Sequence, residues 1–491
     1  MSTTAEPASA SPAQPAPTAK AVSTRPFGWR DKIGYMFGDF GNDFTFLLQS
    51  SFFLIFYTNV MGISAAHVGT LLFAARILDA FTDVGAGRLI DTLRPGRSGR
   101  FKPWLLRIMV PVAVAAFLMF SPFLQDGSYG VRLAWMIGTY VLWGSVFYTL
   151  INIPYGSMAS VISNKPGDRA SLSVFRSLGA TLANLGISVI LPLIVFVQIN
   201  GQSELSGSRM MLAAGGCAIL AIVCYLLCFV NVEERTATPP KAKADRMGFG
   251  QMMGTLVTNR ALTGLIATSL FMLIAFMLLG GLMPYMLNEY FNNGQLLSVV
   301  NLVGLAPTLL LVPFASKLAK VVGKKEIGVA GMSLGVVAAL VLFIVRTDSP
   351  YVFMVGYAVL MLGVSCLNIL IWAFITDVID HQEIRTGERN DATVYGLYSW
   401  ARKLGQAIAG GLTGWALAWI GYQSGTGETV VQSQEVLDGI YSLATLLPAI
   451  LLTVSVLALL FWYPLSKKRV DENVAILEKK HAAAAASDGS L

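Results

Sequence analysis

The sequence predicts an all-α integral membrane protein of twelve transmembrane helices, arranged as two halves of six. Three observations carry that expectation: the composition, the spacing of the apolar runs and an internal repeat. Of 491 residues, 55% are hydrophobic and 13% charged, and the mean hydropathy is +0.63. Soluble domains carry about 25% charged residues. Apolar runs recur from residue 43 to residue 463, many of them near the roughly 20 residues that cross a bilayer as a helix.

In chain order the spans are 40–61, 68–90, 104–124, 133–156, 172–198, 210–232, 261–287, 296–319, 327–346, 351–380, 393–420 and 438–463. Before them, residues 1–30 read as a disordered cytoplasmic tail, because the Ala/Pro/Ser-rich stretch has no apolar core to make a signal peptide. Residues 31–235 form the N-terminal half, 236–260 a central cytoplasmic loop and 261–466 the C-terminal half. The tail at 467–491 is cytoplasmic, and its end, "HAAAAASDGSL", reads as unstructured.

Loop charges orient the spans. After span 2 come Arg94, Arg97, Arg100, Lys102 and Arg107, and after span 4 Lys165 and Arg169. Arg235, Lys241, Lys243 and Arg246 follow span 6, Lys320, Lys324 and Lys325 span 8, and Arg385 and Arg389 span 10. The alternate loops offer little beyond Arg132, Arg209 and Arg346, and the last carries Glu428, Glu435 and Asp438. The positive-inside rule therefore places both termini in the cytoplasm. The net charge of +7 is a topology signal and not a nucleic-acid footprint.

Two segments repeat at an offset of 226. "SVFRSLGA" (173–180) matches "SWARKLGQ" (399–406) at Ser, Arg, Leu and Gly, and "GRSGRFK" (96–102) falls opposite "VGKKEIG" (322–328). Parallel six-helix halves are the organisation of major-facilitator transporters. The four cysteines (Cys217, Cys224, Cys228, Cys366) lie in apolar stretches without metal-ligand company, so no structural metal is expected.

Charges inside the spans mark the candidate site, since an intramembrane charge is costly and usually lines a path. Span 1 carries Asp39 and Asp43 at i, i+4 on one helix face. Asp39 reads either as a solvated residue near the helix end or as part of a cavity, whereas Asp43 is deep enough to accept sugar hydroxyls. Span 2 carries Asp79 and Asp83 with Thr82 between them and Arg76 one turn earlier. Two carboxylates and a hydroxyl suit a small cation, or a proton shared between the carboxylates. Arg76 is a gating or charge-pair partner. On span 4, Tyr148, Thr149, Asn152 and Tyr155 form a polar face beside Pro154. The repeat places Arg176 in one half and Arg402 and Lys403 in the other, and Trp372 and Trp400 offer aromatic faces for a sugar ring.

These residues carry a resemblance. "GYMFGDFGNDF", "FYTNVMGISAAHVGTLLFAARILDAFTDVGAGRLID", "GRFKPWLL", "NIPYGS", "TDVIDHQE" and "YSWARKLGQAIAGG" together resemble the glycoside–pentoside–hexuronide:cation symporter family, the melibiose-carrier group, over residues 28 to 470. With "FWYPLSKK" at 461–468, the chain is most similar to the glucuronide-carrier branch. The resemblance implies that Asp43 and Arg176 bind sugar, that Asp79 and Asp83 bind the coupling cation with Thr149 nearby, and that Lys403 faces those carboxylates. It also implies a bacterial-type cytoplasmic (inner) membrane. Departures are informative. Asn152 stands where the melibiose carrier has an aspartate, which lessens repulsion of an anionic substrate such as a hexuronide. Gly156 replaces a tryptophan and Asn368 an aromatic, and Thr82 replaces an asparagine that assists sodium.

The functional expectation is a symporter that couples entry of Na+ or H+ to import of a glycoside or glucuronide, acting as a monomer among membrane lipids without a cofactor. Alternatives keep the fold and carry a lysolipid or a neutral galactoside or xyloside. The absence of a GxxxxGK[ST] motif argues against ATP drive within the chain, and the absence of a GxSxG elbow argues against an intramembrane hydrolase.

Overall fold

The computed structural model describes residues 25–92, 99–163, 165–199, 201–235, 259–386, 391–425 and 430–488. Expectations for residues 1–24, for the central loop over 236–258, and for Arg94, Arg97, Arg389 and Glu428 lie outside the described residues.

Long helices follow one another in antiparallel order. They are α1 (Trp29–Asn59), α2 (Ala65–Thr92), α3 (Lys102–Met119), α4 (Tyr129–Ile162), and α5 (Pro166–Leu185, prolonged by a π-helical turn at Gly186–Ile190 and by Leu191–Val195). Next come α6 (Gly207–Asn231), α7 (Arg260–Tyr290), α8 (Leu297–Val321), α9 (Lys324–Val345), α10 (Pro350–Thr386), α11 (Asp391–Trp419), α12 (Gln434–Trp462) and α13 (Lys467–Asp488). Starts follow ordinary capping chemistry. Ser206, Asn259 and Ser433 accept the N–H of Arg209, Leu262 and Val436, and α3 and α5 have proline in their first two positions.

Among the described residues ten helices are long and apolar enough to cross a membrane. Of α1 to α12, only α1 and α11 fall short. Those two helices carry Asp39 and Asp43, and Arg402 and Lys403. The apolar run of span 1 starts at residue 40, but α1 begins at Trp29 and the chain is already structured at Arg25. The reason is a buried ion cluster: the fully buried Asp31 carboxylate takes Arg25 at 2.7 Å and Arg235 at 2.9 Å.

Two further expectations are corrected. The apolar run of span 5 predicts helix to residue 198, but the helix stops at Val195. A two-stranded hairpin follows, β1 (Phe196–Ile199) antiparallel to β2 (Gln202–Leu205), with Phe196 opposite Leu205. Gly201, at φ +80°, supplies the left-handed position of its turn. The C-terminal stretch expected to be unstructured is helical to Asp488. Its alanine run has the highest helix propensity, and upstream of it Leu477 is buried and Asn473 Nδ2 lies 3.3 Å from His381 Nδ1 of α10.

The halves meet mainly at the end away from the basic loops. There α2 and α11 touch backbone to backbone: a Cβ on Gly69 would sit 2.7 Å from Gly411 O, and one on Gly414 would strike Ala65 O. At the same end Ser298 Oγ donates to Val189 O at 2.6 Å, Asn301 Nδ2 to Ser188 O at 2.9 Å, and Trp415 Nε1 to Thr70 Oγ1 at 3.0 Å.

Candidate functional site

Asp39 and Arg176 join α1 to α5. Arg176 Nε donates to Asp39 Oδ1 at 2.9 Å, and the Asp39 carboxylate is only 7% exposed. This decides between the two readings of Asp39: it is a buried partner and not a solvated end. α5 can come this close because a Cβ on Gly179 would lie 2.8 Å from Met36 O. The guanidinium lies 5.3 Å above the Tyr155 ring, which stacks on Tyr35 at 4.7 Å between centroids. Tyr155 also donates to Tyr35 O at 2.8 Å. Tyr155 is fully buried. It is therefore the floor beneath Arg176, not the accessible sugar contact that its sequence position suggested.

Asp43 lies one turn on, about 6 Å further along α1 at 1.5 Å per residue. It is half-buried, and among the described residues its carboxylate has no hydrogen-bonding or ion-pair partner. The two terminal nitrogens of Arg176, a side chain 43% exposed, likewise have none. Open acceptors and open fork donors thus stand one helical turn apart. Asn152 is drawn to α1: Asn42 Nδ2 donates to its Oδ1 at 3.4 Å, and Tyr225 Oη donates to Asn42 Oδ1 at 2.9 Å. Tyr148 stacks on Phe46 at 5.7 Å and tilts against Trp143 at 5.2 Å.

The carboxylates of α2 face α4 as a two-rung ladder. Ser145 Oγ donates to Asp79 Oδ1 at 2.6 Å, and Thr149 Oγ1 donates to Asp83 Oδ1 at 3.1 Å. Both pairs are i, i+4 on their helices, so each helix offers one face to the other. Residues Val141–Tyr148 are wound as a π-helix, and Thr149 also reaches Gly144 O at 3.3 Å. Wide turns of this kind re-aim side chains and concentrate at functional sites. Arg76 Nη1 lies 3.8 Å from Asp79 Oδ2, with its guanidinium 5.6 Å from the Phe46 ring. Thr82 does not join the ladder. Its hydroxyl donates to the backbone carbonyl of Asp79 at 3.2 Å.

The C-terminal half contributes cations. Lys403 Nζ donates to Asp83 Oδ2 at 2.7 Å, so the two oxygens of Asp83 are held by opposite halves. Arg402 lies 5.8 Å from the Trp372 ring, which meets Tyr398 edge-on at 5.8 Å. Trp372 and Trp400 are 48% and 45% exposed. The structure therefore unites Asp39 with Arg176, Asp79 with Arg76, and Asp83 with Thr149 and Lys403, and it leaves Thr82 and Trp400 outside those contacts. Ser145 was not singled out from sequence. A register count from Asp83–Thr149, carried back one turn on both helices, points to it.

Comparison with known proteins agrees with this architecture. The family described as MFS/sugar transport protein matches residues 34–467. A protein called "Uncharacterized symporter YjmB" from Bacillus subtilis is 31% identical over 92% of this chain and 95% of its own length. A "Glucuronide carrier protein homolog" from Escherichia coli is also 31% identical, over 92% of this chain and 96% of its own. Among solved structures, a bacterial homologue of the iron transporter ferroportin in an inward-facing state superposes with TM-score 0.63 at 12% identity, covering 89% of this chain and 98% of that one.

Proposed function

Because the chain belongs to the MFS/sugar transport protein family, we propose that it is a cation-coupled symporter importing a hexuronide such as a glucuronide by alternating access. That it is a membrane transporter of the sugar class, and not an enzyme, follows from the family itself. The coupling ion and the substrate are our reading.

One observation carries it: Asp83 is shared between Thr149 of one half and Lys403 of the other. A coupling site has to report its occupancy to the interface between the halves, and this carboxylate lies on that interface. In the reading we favour, Lys403 balances Asp83 when the cation is absent. Entry of Na+ or H+ between Asp79 and Asp83 releases Lys403 and changes how the halves meet. Ser145 and Thr149 add hard hydroxyl oxygens beside the carboxylates.

Substrate class rests on the free groups. The unpartnered fork of Arg176 matches a carboxylate bidentately, and the open oxygens of Asp43 accept neighbouring hydroxyls. The glucuronide carrier homolog among the relatives supports the same class. We place the basic end of the bundle in the cytoplasm by the positive-inside rule. With the halves joined at the other end, this structure is then an inward-open state.

The test is uptake of labelled glucuronide into vesicles under an imposed sodium or proton gradient. Wild type should accumulate the label under one of the two gradients, and Asp83→Asn should abolish accumulation above equilibrium. Accumulation by that variant equal to wild type would refute the cation role.

A further inference from the structure

We propose that Asn59, at the last turn of α1, is the tongue of an outer latch whose socket is Glu289 and Tyr422 of the opposite half. The inference rests on the alternating-access reading and adds to it the residues that hold the outer end shut.

Both ends of one amide are gripped. Asn59 Nδ2 donates to Glu289 Oε1 at 2.7 Å, and Asn59 Oδ1 accepts from Tyr422 Oη at 2.8 Å. The socket is pre-assembled within the C-terminal half: Tyr422 Oη lies 3.0 Å and Asn288 Nδ2 3.2 Å from the same Glu289 oxygen. Beside it, Thr58 Oγ1 and Tyr285 Oη lie 2.8 Å apart, and Gly425 N donates to Thr58 O at 3.0 Å. A cavity of about 50 Å³ borders Asn59, Asn288, Glu289 and Tyr422.

The chemistry is selective. Among the described residues no base pairs with Glu289, so neutral donors alone hold its carboxylate. An amide satisfies both members of the socket at once, offering an N–H to the acid and a carbonyl to the phenol. A carboxylate at position 59 would keep the phenol's acceptor and set a second acceptor against Glu289, where the loss of a buried partner is most costly. Separating the halves at this end withdraws the tongue whole, which makes the latch a two-state element.

The experiment reads the distance between the halves at the outer end. Spin labels are placed at Asp126 and Val431, both exposed and in opposite halves, after serine replaces the four native cysteines. Double electron–electron resonance is recorded in nanodiscs, with and without glucuronide. Asn59→Asp is expected to raise the ratio of the long-distance to the short-distance population by roughly tenfold, the scale of one charge-assisted hydrogen bond. Tyr422→Phe should shift it less. The double variant Asn59→Asp with Glu289→Gln exchanges acid and amide across the same contact and should return the wild-type ratio, a rescue that loss of fold would not give. An unchanged ratio in Asn59→Asp overturns the latch, as does a double variant no closer to wild type than the single one. If wild type never shows a second distance population, the alternating-access reading falls and the latch with it.

Discussion

The two halves share a fold and differ in charge. At mid-depth the N-terminal half holds Asp39, Asp43, Asp79 and Asp83, whereas positions 226 further on are Leu265, Ser269, Leu305 and Leu309. The C-terminal half supplies Arg402 and Lys403 in the register of Arg176. One copy of the repeat thus concentrates negative charge, and the other brings a counter-charge to it through Lys403. The division teaches why the halves can be coupled at all. An acid and a base in separate bodies form an interaction that depends on how those bodies are placed, while an acid and a base in one body, such as Asp39 and Arg176, do not.

The comparison breaks most severely at Arg176. Arg176→Ala removes the charge partner of the buried Asp39 carboxylate, a loss of about 1–3 kcal/mol for a pair whose basic member is half-exposed. Glucuronide uptake should disappear and the thermal unfolding midpoint should fall in detergent. Arg176→Lys keeps the charge and should recover the midpoint more than the uptake, because a lysine offers no fork.

Lys403→Ala tests the other kind of pair. Lys403 and Asp83 side chains are 57% and 32% exposed, so the pair contributes at most about 1 kcal/mol to stability, and the unfolding midpoint should barely move. If Lys403 competes with the cation for Asp83, its loss should tighten apparent cation affinity about fivefold while lowering maximal uptake. The cation dependence of uptake measures both.

The smallest effects separate two hydroxyls that bond Asp79, one at its carboxylate and one at its backbone carbonyl. Ser145→Ala removes a 2.6 Å hydrogen bond to Asp79 and should weaken cation affinity about fivefold, on the scale of one such bond. Thr82→Ala removes only a hydroxyl bonded to its own helix and should change it by less than about twofold. Equal responses in a cation titration would show that Thr82 turns toward the site during the cycle.

Much of this site was legible because charge is conspicuous in an apolar chain. Asp39, Asp43, Asp79, Asp83, Arg176 and Lys403 stand out for that reason alone, and i, i+4 spacing correctly put each acid pair on one face. What stayed hidden depends on neighbours. Ser145 is unremarkable until a π-helical segment on α4 turns it toward α2. Thr82 looked important by its place between two acids, but a helical hydroxyl often finds its own backbone first. Glu289 and Tyr422 meet only through the packing of the C-terminal half, and Asn59 reaches them only when the outer end is closed. The hairpin after α5 did have a signal, "NG" at 200–201 between polar and apolar residues, and an apolar run extended through it concealed the strand.

The glycine contact between α2 and α11 has a consequence for motion. Those two helices also carry Asp83 and Lys403. Gly69 and Asp83 lie roughly 20 Å apart along α2 at 1.5 Å per residue. While the outer end stays closed and the backbones are pressed together there, the pair works as a lever with its fulcrum at the glycines and a contact far along its arm. A relative tilt of about 10° at the glycines displaces the distant carboxylate by about 3–4 Å on that arm, enough to part a 2.7 Å contact. A larger residue at Gly414 would move the fulcrum itself, and the charge pair would then go out of adjustment without any change in its own chemistry.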